Sequence, residues 1–448
     1  MEVNTMALGR FRIPAGELPP PEGMIPHGSG TIVHKYGGSS LATCKLIRGV
    51  AERLEEVHRS GRPAVVVVSA RGDTTDILLA MAAEISSSPA GRELDQLLAT
   101  GECASAALLA LALLERGIPA VSLTGAQTGI RATGRHGAGL IVSIDTERIT
   151  RLSAEGNLVV LAGFQGINAE GDIVTLGRGG SDTTAVALAS ELRSGHCEIY
   201  TDVDGVYTAD PRVVAAPSVL PSVDVDVMAE MSFAGAKVMH SRAVELAAVC
   251  GVAIHVGRSA TGEIGTVISR LGRKNMLETR STVAAVVHDT EVAQVDFRCA
   301  GDEPAVLEEV FGLLGRSAAP VDMVTVSTNT AGTLTVGMTV HAGDVPAIRG
   351  ALLSLAATTR DGRIEVHDRI GKVSVVGTGL LNRPEYAAAM LAGLSSAGIT
   401  ARSITASQSR ICAAVPIGDL IPAVRLLHER FGLEPDRTRS PQDSTVPA

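Results

Sequence analysis

From Thr31 onward, short runs of apolar and β-branched residues alternate with longer stretches whose apolar positions recur at helical spacing. The series reads TIVHKYGG, a helix from Ala51 to Arg59, PAVVVVSA, helices across Asp76 to Glu115, then PAVSLTG, NLVVLAGF and HCEIYTDV. Leu140 to Leu152 and Thr183 to Leu192 read as two further helices, and one around Gly235 to Val249 leads into VAIHVG. Continuous apolar runs mark strands buried on both faces, and their alternation with helices implies βαβ units. The expected class is α/β, a mainly parallel sheet with helices on both sides.

Beyond about Arg270 the pattern changes to two similar stretches. One runs VAQVDFRC, a helix near Ala305 to Leu314, VDMVTVST, TLTVGMTV and a helix near Val345 to Leu353. The other runs KVSVVGTG, a helix near Tyr386 to Ala397, ITARSITA, RICAAVPI and a helix near Leu420 to Phe431. Each is a βαββα unit, so an internal duplication is expected. The Pro- and Gly-rich residues 1–30 are expected to form a flexible extension and the polar residues 436–448 a frayed tail. Between them lie a domain over 31–270 and two small modules over 285–360 and 371–435.

The 448 residues exceed what one core usually serves, and 45% hydrophobic against 19% charged positions is the balance of a globular chain. With 2% aromatics and no Trp, the core must be built from Ala, Val, Leu and Ile. A net charge of -9 without a Lys/Arg run excludes an electrostatic footprint for nucleic acid or an anionic membrane, so an anionic ligand must be held locally. The six cysteines lie far apart without C-x-x-C pairs, which signals neither a zinc cage nor a disulfide framework and suits reduced cytoplasmic thiols. No signal-type apolar segment opens the chain, and no stretch has the ~18 uninterrupted apolar residues of a membrane span.

Three glycine-rich turns carry the candidate chemistry. KYGGSS (Lys35 to Ser40) follows a strand and precedes a helix, where backbone N–H groups, helix potential and a lysine can meet a phosphate. A plain connecting turn would look the same. GRGGSDTTA (Gly177 to Ala185) gathers Arg178, Ser181 and Asp182 in one arc; a guanidinium fork grips carboxylates, although Asp182 could equally cap the following helix. TDVDGVYTADPR (Thr201 to Arg212) lies beyond a strand's carboxyl end, where open α/β sheets place ligands, and could otherwise be a surface turn. No P-loop pattern occurs.

These turns, together with VVVVSARGDTTDILL, LLATGECASAALLA, AGFQGIN and AGAKVMHSRAVELA, give the stretch from Thr31 to about Ile268 a nearly continuous resemblance to the aspartokinase branch of the amino acid kinase family. The resemblance implies a three-layer sandwich and transfer of the γ-phosphoryl group of ATP, with Mg²⁺, to the β-carboxylate of L-aspartate. It implies that Lys35 neutralises the transferring group, Asp182 orients Lys35, and Gly37, Gly38 and Ser39 cradle phosphate oxygens. Arg178 would hold the α-carboxylate of aspartate and Glu102 its ammonium, with Thr75 and Ser181 completing the pocket. Thr201, Asp202, Tyr207, Arg212 and Lys237 would surround the nucleotide, and no protein metal site is implied. Glu102 as a helix-dipole residue and Lys237 as a solvated lysine are the plainer readings.

QVDFRCAGDEPAVLEEVF and KVSVVGTGLLNRPEYAAAML resemble the two ACT domains of aspartokinases, βαββαβ-like sensors of lysine or threonine, one of them completed by an outside strand for which STVAAVVH is the candidate. Such modules pair across subunits, so a homo-oligomer is expected. DEPAV and NRPEY lack the glycine expected after proline, GITARSITASQSRIC departs from the usual loop, and Ser241 and Ala126 replace a proline and a bulky residue. Weakened or redirected feedback by lysine and threonine is expected from the first two. The rival readings are a family member acting on a different carboxylate or a low-activity regulatory binding protein; Arg178 and Glu102 together favour an α-amino acid.

Overall fold

The computed structural model describes residues 30–270, 283–300, 304–317, 319–330 and 332–435. The expected tail, and the expected extension but for Gly30, lie outside the described residues.

In chain order the first domain comprises β1 (Ile32–Tyr36), α1 (Cys44–Arg59), β2 (Ala64–Val68), α2 (Thr74–Ile85), α3 (Gly91–Glu115), β3 (Ala120–Leu123), β4 (Ile130–Thr133) and β5 (Leu140–Ile144). It continues through α4 (Glu147–Ala154), β6 (Leu158–Ala162), β7 (Gln165–Ile167), β8 (Ile173–Thr175), α5 (Gly180–Glu191), β9 (His196–Thr201), β10 (Ser222–Asp224), α6 (Val225–Ala234), α7 (Ser241–Cys250), β11 (Ala253–Arg258) and β12 (Ile264–Ser269). Eight strands form the central sheet in the order β10-β12-β11-β9-β1-β2-β6-β3. Among the described residues, only its β11–β12 pairing is antiparallel.

The period of two in a strand explains the layers. Val33, Val65, Val67, Val159 and Leu161 point to one face and pack with α5, α6 and α7. Tyr36, Val66, Val68, Val160 and Tyr200 point to the other, under α1 and α3. Helix α1 begins where Thr43 Oγ1 accepts from Leu46 N at 3.2 Å, and its buried stripe of Ile47, Val50, Ala51 and Leu54 follows helical spacing. Burying each of Ile47, Val50 and Leu54 contributes about 1.5–3 kcal/mol, and the methyl of Ala51 less. Helix α3 is long and apolar enough to cross a membrane by length and composition, yet it packs on the sheet with Asp95 and Glu102 buried.

Leu140 to Leu152 is not one helix. Leu140–Ile144 pairs antiparallel with β4 in a second sheet, β5-β4-β7-β8, and only Glu147–Ala154 is helical, because the β-branched run Ile141-Val142 finds an edge to join. The helix expected around Gly235 to Val249 begins only at Ser241, as α7, because Gly235, with a φ of +124°, ends the preceding α6 and His240 caps the next helix.

The second half contains β13 (Val283–Asp289), β14 (Val292–Ala300), α8 (Pro304–Ser317), β15 (Val321–Thr328), β16 (Thr333–His341), α9 (Val345–Thr358) and β17 (Arg363–His367). Then follow β18 (Ile370–Gly377), α10 (Pro384–Ser396), β19 (Ser403–Ala406), β20 (Arg410–Pro416) and α11 (Leu420–Arg430). They make two antiparallel sheets, β15-β16-β14-β17 and β13-β18-β20-β19. The candidate strand STVAAVVH supplies β13, which completes the second module, while β17 completes the first. The 285–360 boundary therefore differs from the sheets at both ends. Val292, Met323, Ile370, Cys412 and Ala414 close a small core between the modules.

Candidate active site

The carboxyl ends of β1, β2 and β9 and the turn before α5 meet at one rim of the central sheet. Lys35, next to last in β1, places Nζ 2.6 Å from Asp182 Oδ1 in the first turn of α5; both side chains are 11% exposed. An ion pair so shielded from water is little screened. The chain then turns through Gly37 and Gly38. Gly37 N donates to Tyr200 O at 3.2 Å and Gly72 N to Gly38 O at 2.9 Å, which ties the turn to β9 and to the loop after β2. A Cβ on Gly38 would lie 2.6 Å from Ala70 O, so only glycine allows the approach. Ser39 Oγ lies 3.5 Å from Asp202 Oδ1, which also accepts from Thr201 Oγ1 at 2.9 Å.

Glu102 enters from α3. Gly101, where a Cβ would come within 2.9 Å of Ala70 Cβ, lets the helix close on the loop after β2, and Glu102 Oε1 accepts from Ala70 N at 3.0 Å. Its Oε2 is buried with no hydrogen-bond partner among the described residues, and burial pushes the carboxyl up to about 7 despite the Ala70 bond. A buried, acceptor-only oxygen without a donor is costly unless something supplies one. Thr75 is half-buried in the first turn of α2, beside Thr74, whose hydroxyl donates to Arg71 O at 2.6 Å.

Ser181 is buried against the turn after β6, where a Cβ on Gly163 would come within 2.8 Å of its Oγ. Gly177 and Gly179 flank Arg178 with φ of +75° and +67°, and a Cβ on Gly179 would lie 2.1 Å from that of His240. His240 Nδ1 caps α7 by accepting from Arg242 N at 3.4 Å, and burial holds its imidazole below the usual range. Arg178 does not point at Ser181. Its side chain is 75% exposed and reaches into the first small module, with Nη1 3.4 Å from Glu291 Oε2 and 3.3 Å from His341 Nε2. Hydrogen bonds from His341, at 2.8 Å, and from Arg178 hold Glu291 below the usual carboxylate range. Arg178, Asp182, His240 and Lys237 line one cleft of about 990 Å³ between the domain and the first module.

The structure thus gathers Lys35, Gly37, Gly38, Ser39, Ser181, Asp182, Thr201 and Asp202 at the rim, with Glu102 beside it. Tyr207 and Arg212 carry local partners instead. The Tyr207 hydroxyl donates to Asp204 Oδ2 at 2.9 Å, Arg258 grips the other oxygen of Asp204, and Arg212 folds back on Asp210 with Nη2 2.7 Å from Oδ2.

Two features escape the sequence reading. Asp95, buried in α3, accepts from His136 Nδ1 at 2.9 Å and from Gly137 N, Thr175 N and Thr175 Oγ1, pinning the 134–139 turn to β8. Its spacing of seven from Glu102, two acids on one stripe of an apolar helix, is the available signal. Glu291 and His341 have none, since only the packing of domains brings them to Arg178.

Charge stabilisation around an anion, with glycine turns and a paired lysine, is the equipment of a phosphotransferase for small acceptors. The amino acid kinase family model matches residues 30–258 and an ACT domain model residues 373–431. The aspartokinase of Mycolicibacterium smegmatis is 40% identical over 408 residues, 90% of this chain and 97% of that protein. E. coli aspartokinase III in complex with aspartate and ADP, in the R-state, superposes with a TM-score of 0.73 at 25% identity, covering 89% of this chain and 99% of the other. The same enzyme with lysine and aspartate, in the T-state, gives 0.63 at 25% identity, covering 90% and 100%. The chain belongs to the aspartokinase branch of the amino acid kinase family, and is thus an ATP-dependent kinase carrying C-terminal ACT domains.

Proposed function

We propose that the protein transfers the γ-phosphoryl group of ATP to the β-carboxylate of L-aspartate, giving 4-phospho-L-aspartate and ADP. The observation that carries this reading is the shielded Lys35–Asp182 pair between two glycine turns, with the unpartnered Glu102 oxygen beside it. Glu102 Oε2 awaits a donor, and the ammonium of an α-amino acid supplies one. Arg178 offers the fork for the α-carboxylate once it leaves Glu291 and His341. With Thr75 and Ser181 closing the pocket, the β-carboxylate is left to attack the γ-phosphorus in line. One O–P bond forms, the bond to the ADP oxygen breaks, and no proton need move, because a carboxylate is already a nucleophile at neutral pH. Lys35, oriented by Asp182, stabilises the charge on the transferring group.

Gly37, Gly38, Ser39, Thr201, Asp202, Tyr207, Arg212 and Lys237 are assigned to the nucleotide. Asp202 is an exposed carboxylate whose Oδ2 has no partner among the described residues, which suits Mg²⁺ arriving with ATP; when bound, the ion neutralises phosphate charge. Cys44, Cys103, Cys197, Cys250 and Cys412 form no disulfide, which suits the reducing cytoplasm. The ACT modules are assigned to an amino acid effector, and the Arg178–Glu291 contact gives the first module a direct hold on the substrate fork. The exposed edge strand β15, with Val324 and Val326 40% and 48% exposed, is the natural seam for a second copy.

The test is incubation with MgATP and a panel of amino acids, with hydroxylamine trapping of the acyl phosphate and measurement of ADP. Aspartate alone should give the hydroxamate, and Lys35→Ala should lower turnover by roughly 10²–10³-fold. Equal trapping with another amino acid, or near-normal turnover in the variant, refutes the assignment. Strong inhibition by millimolar lysine plus threonine would overturn the expected weakening of feedback.

A further inference from the structure

The opposite flank of β9 carries a cluster that phosphoryl transfer does not use. Residues 196, 198 and 200 of β9 share one face by the period of two, and the parallel register sets Glu198 beside His34 of β1 and beside His255 of β11. Glu198 Oε2 is held by the Tyr200 hydroxyl at 2.8 Å and lies 3.1 Å from His34 Nδ1. Its Oε1 is turned to His196 Nε2 at 3.2 Å. The His196 and His255 rings stack with centroids 4.3 Å apart and planes 18° apart. One donor atom from each of His196, Glu198 and His255 lies within 4.8 Å of the other two. The His255 ring has no hydrogen-bond partner among the described residues.

A hydrogen bond between His196 and Glu198 explains that pair but leaves the second imidazole stacked on it without a task. We propose that His196, Glu198 and His255 form a binding site for a divalent borderline transition ion such as Zn²⁺, pinning β9 to β11. The donor set is the two-imidazole, one-carboxylate set such ions take. Bonds of about 2.0–2.1 Å in tetrahedral geometry place donors roughly 3.3 Å apart, which the His196–Glu198 separation already meets. Tyr200 and His34 orient the carboxylate from behind, as supporting groups of metal ligands do. The site is partly open, with His196 26% and Glu198 14% exposed, so an ion can enter. A superficially similar group, Asp296, Glu365 and His367 on β14 and β17, is unsuited to a cation: Arg298 lies 3.4 Å from Glu365 and Arg402 3.0 Å from His367.

The full-length protein, stripped of metal, is titrated with Zn²⁺ by calorimetry and with Co²⁺ by visible absorption, alongside His196→Gln, His255→Gln and, as control, His367→Gln. One ion per chain is expected, with affinity reduced more than about tenfold in the first two variants and unchanged in the control. Zn²⁺ should raise the thermal midpoint of the wild type and the control, but not of the other two. Circular dichroism and ADP binding establish that the variants fold. Absence of stoichiometric binding, or equal affinity in folded His196→Gln and His255→Gln, overturns the proposal. So do thiolate-to-cobalt charge-transfer bands in the wild type, which need no variant and would place the ion on cysteine.

Discussion

Glu102 shows how a single side chain is pulled two ways. Its carboxyl is raised to about 7 by burial, so folding takes up a proton there. The stability this gives is fully present below the unfolded value near 4.5 and is lost as pH rises through about 7. Aspartate binding asks for the opposite, an ionised Oε2 facing an ammonium. The KM for aspartate should therefore fall as pH is raised from about 6 to about 8, while the thermal midpoint loses some ground over the same interval. Glu102→Gln should flatten both dependences and raise that KM by roughly 10–100-fold, the loss expected for one charge-assisted hydrogen bond. A wild-type KM insensitive to pH would assign Glu102 to structure alone. Lys35, Gly37, Gly38 and Asp182 were legible in the sequence because each sits in a glycine turn whose chemistry is local. The binding of Glu102 to Ala70 was not, since it depends on how closely Gly101 lets α3 approach a loop more than thirty residues earlier.

At the level of elements, the strand–turn–helix joints set the site. Gly179 has φ +67° and no room for a Cβ against His240, and it lies between Arg178 and the first turn of α5, which carries Asp182. Gly179→Ala should cost at least about 1–2 kcal/mol from backbone strain alone, before the neighbouring histidine shifts. The expected outcome is a lower unfolding midpoint and a fall in kcat/KM for aspartate, because Arg178 and Asp182 move together, with ADP affinity changed much less. Normal aspartate kinetics in a folded variant would mean that the turn does not position the fork. The buried strands are legible as unbroken apolar runs, whereas β5 is an exposed, largely apolar run of five residues, with Leu140 and Val142 facing out, and a run so short next to a helical stretch has no period of its own. The sequence marks the turn that Arg178 occupies, but not its side-chain partners, which sit in another domain.

Across the molecule, the duplicated modules were visible as repeated βαββα patterns, but the crossing of β13 into the second module is a pairing between distant segments that local pattern only hinted at. The same non-local packing builds the joint between the domains. Asp322 on β15 accepts from Lys372 Nζ at 2.9 Å and from Arg410 Nη2 at 2.8 Å and Nη1 at 3.1 Å. Arg410 also approaches Glu230 of α6 at 3.5 Å, and both cations lie over the Phe233 ring, 5.5 and 5.2 Å from its centroid. One carboxylate of the first module thus fixes two cations of the second against a helix of the kinase domain.

Burial works against the charge on Asp322, but Lys372 and Arg410 hold its carboxyl below the usual range, so its contribution is present near neutral pH and is lost as pH falls through that lowered value. Lys372 is 3% exposed, and stripping its partner leaves a buried cation. Asp322→Ala should therefore destabilise by about 3–5 kcal/mol, read as a lower urea midpoint, whereas replacing Lys372 by methionine in the same chain should recover much of the loss, because an apolar side chain carries no desolvation penalty. If Asp322→Ala unfolds at the wild-type midpoint, the joint is held by the apolar contacts of Val292, Met323 and Ile370 alone, and the carboxylate does not link the modules to α6.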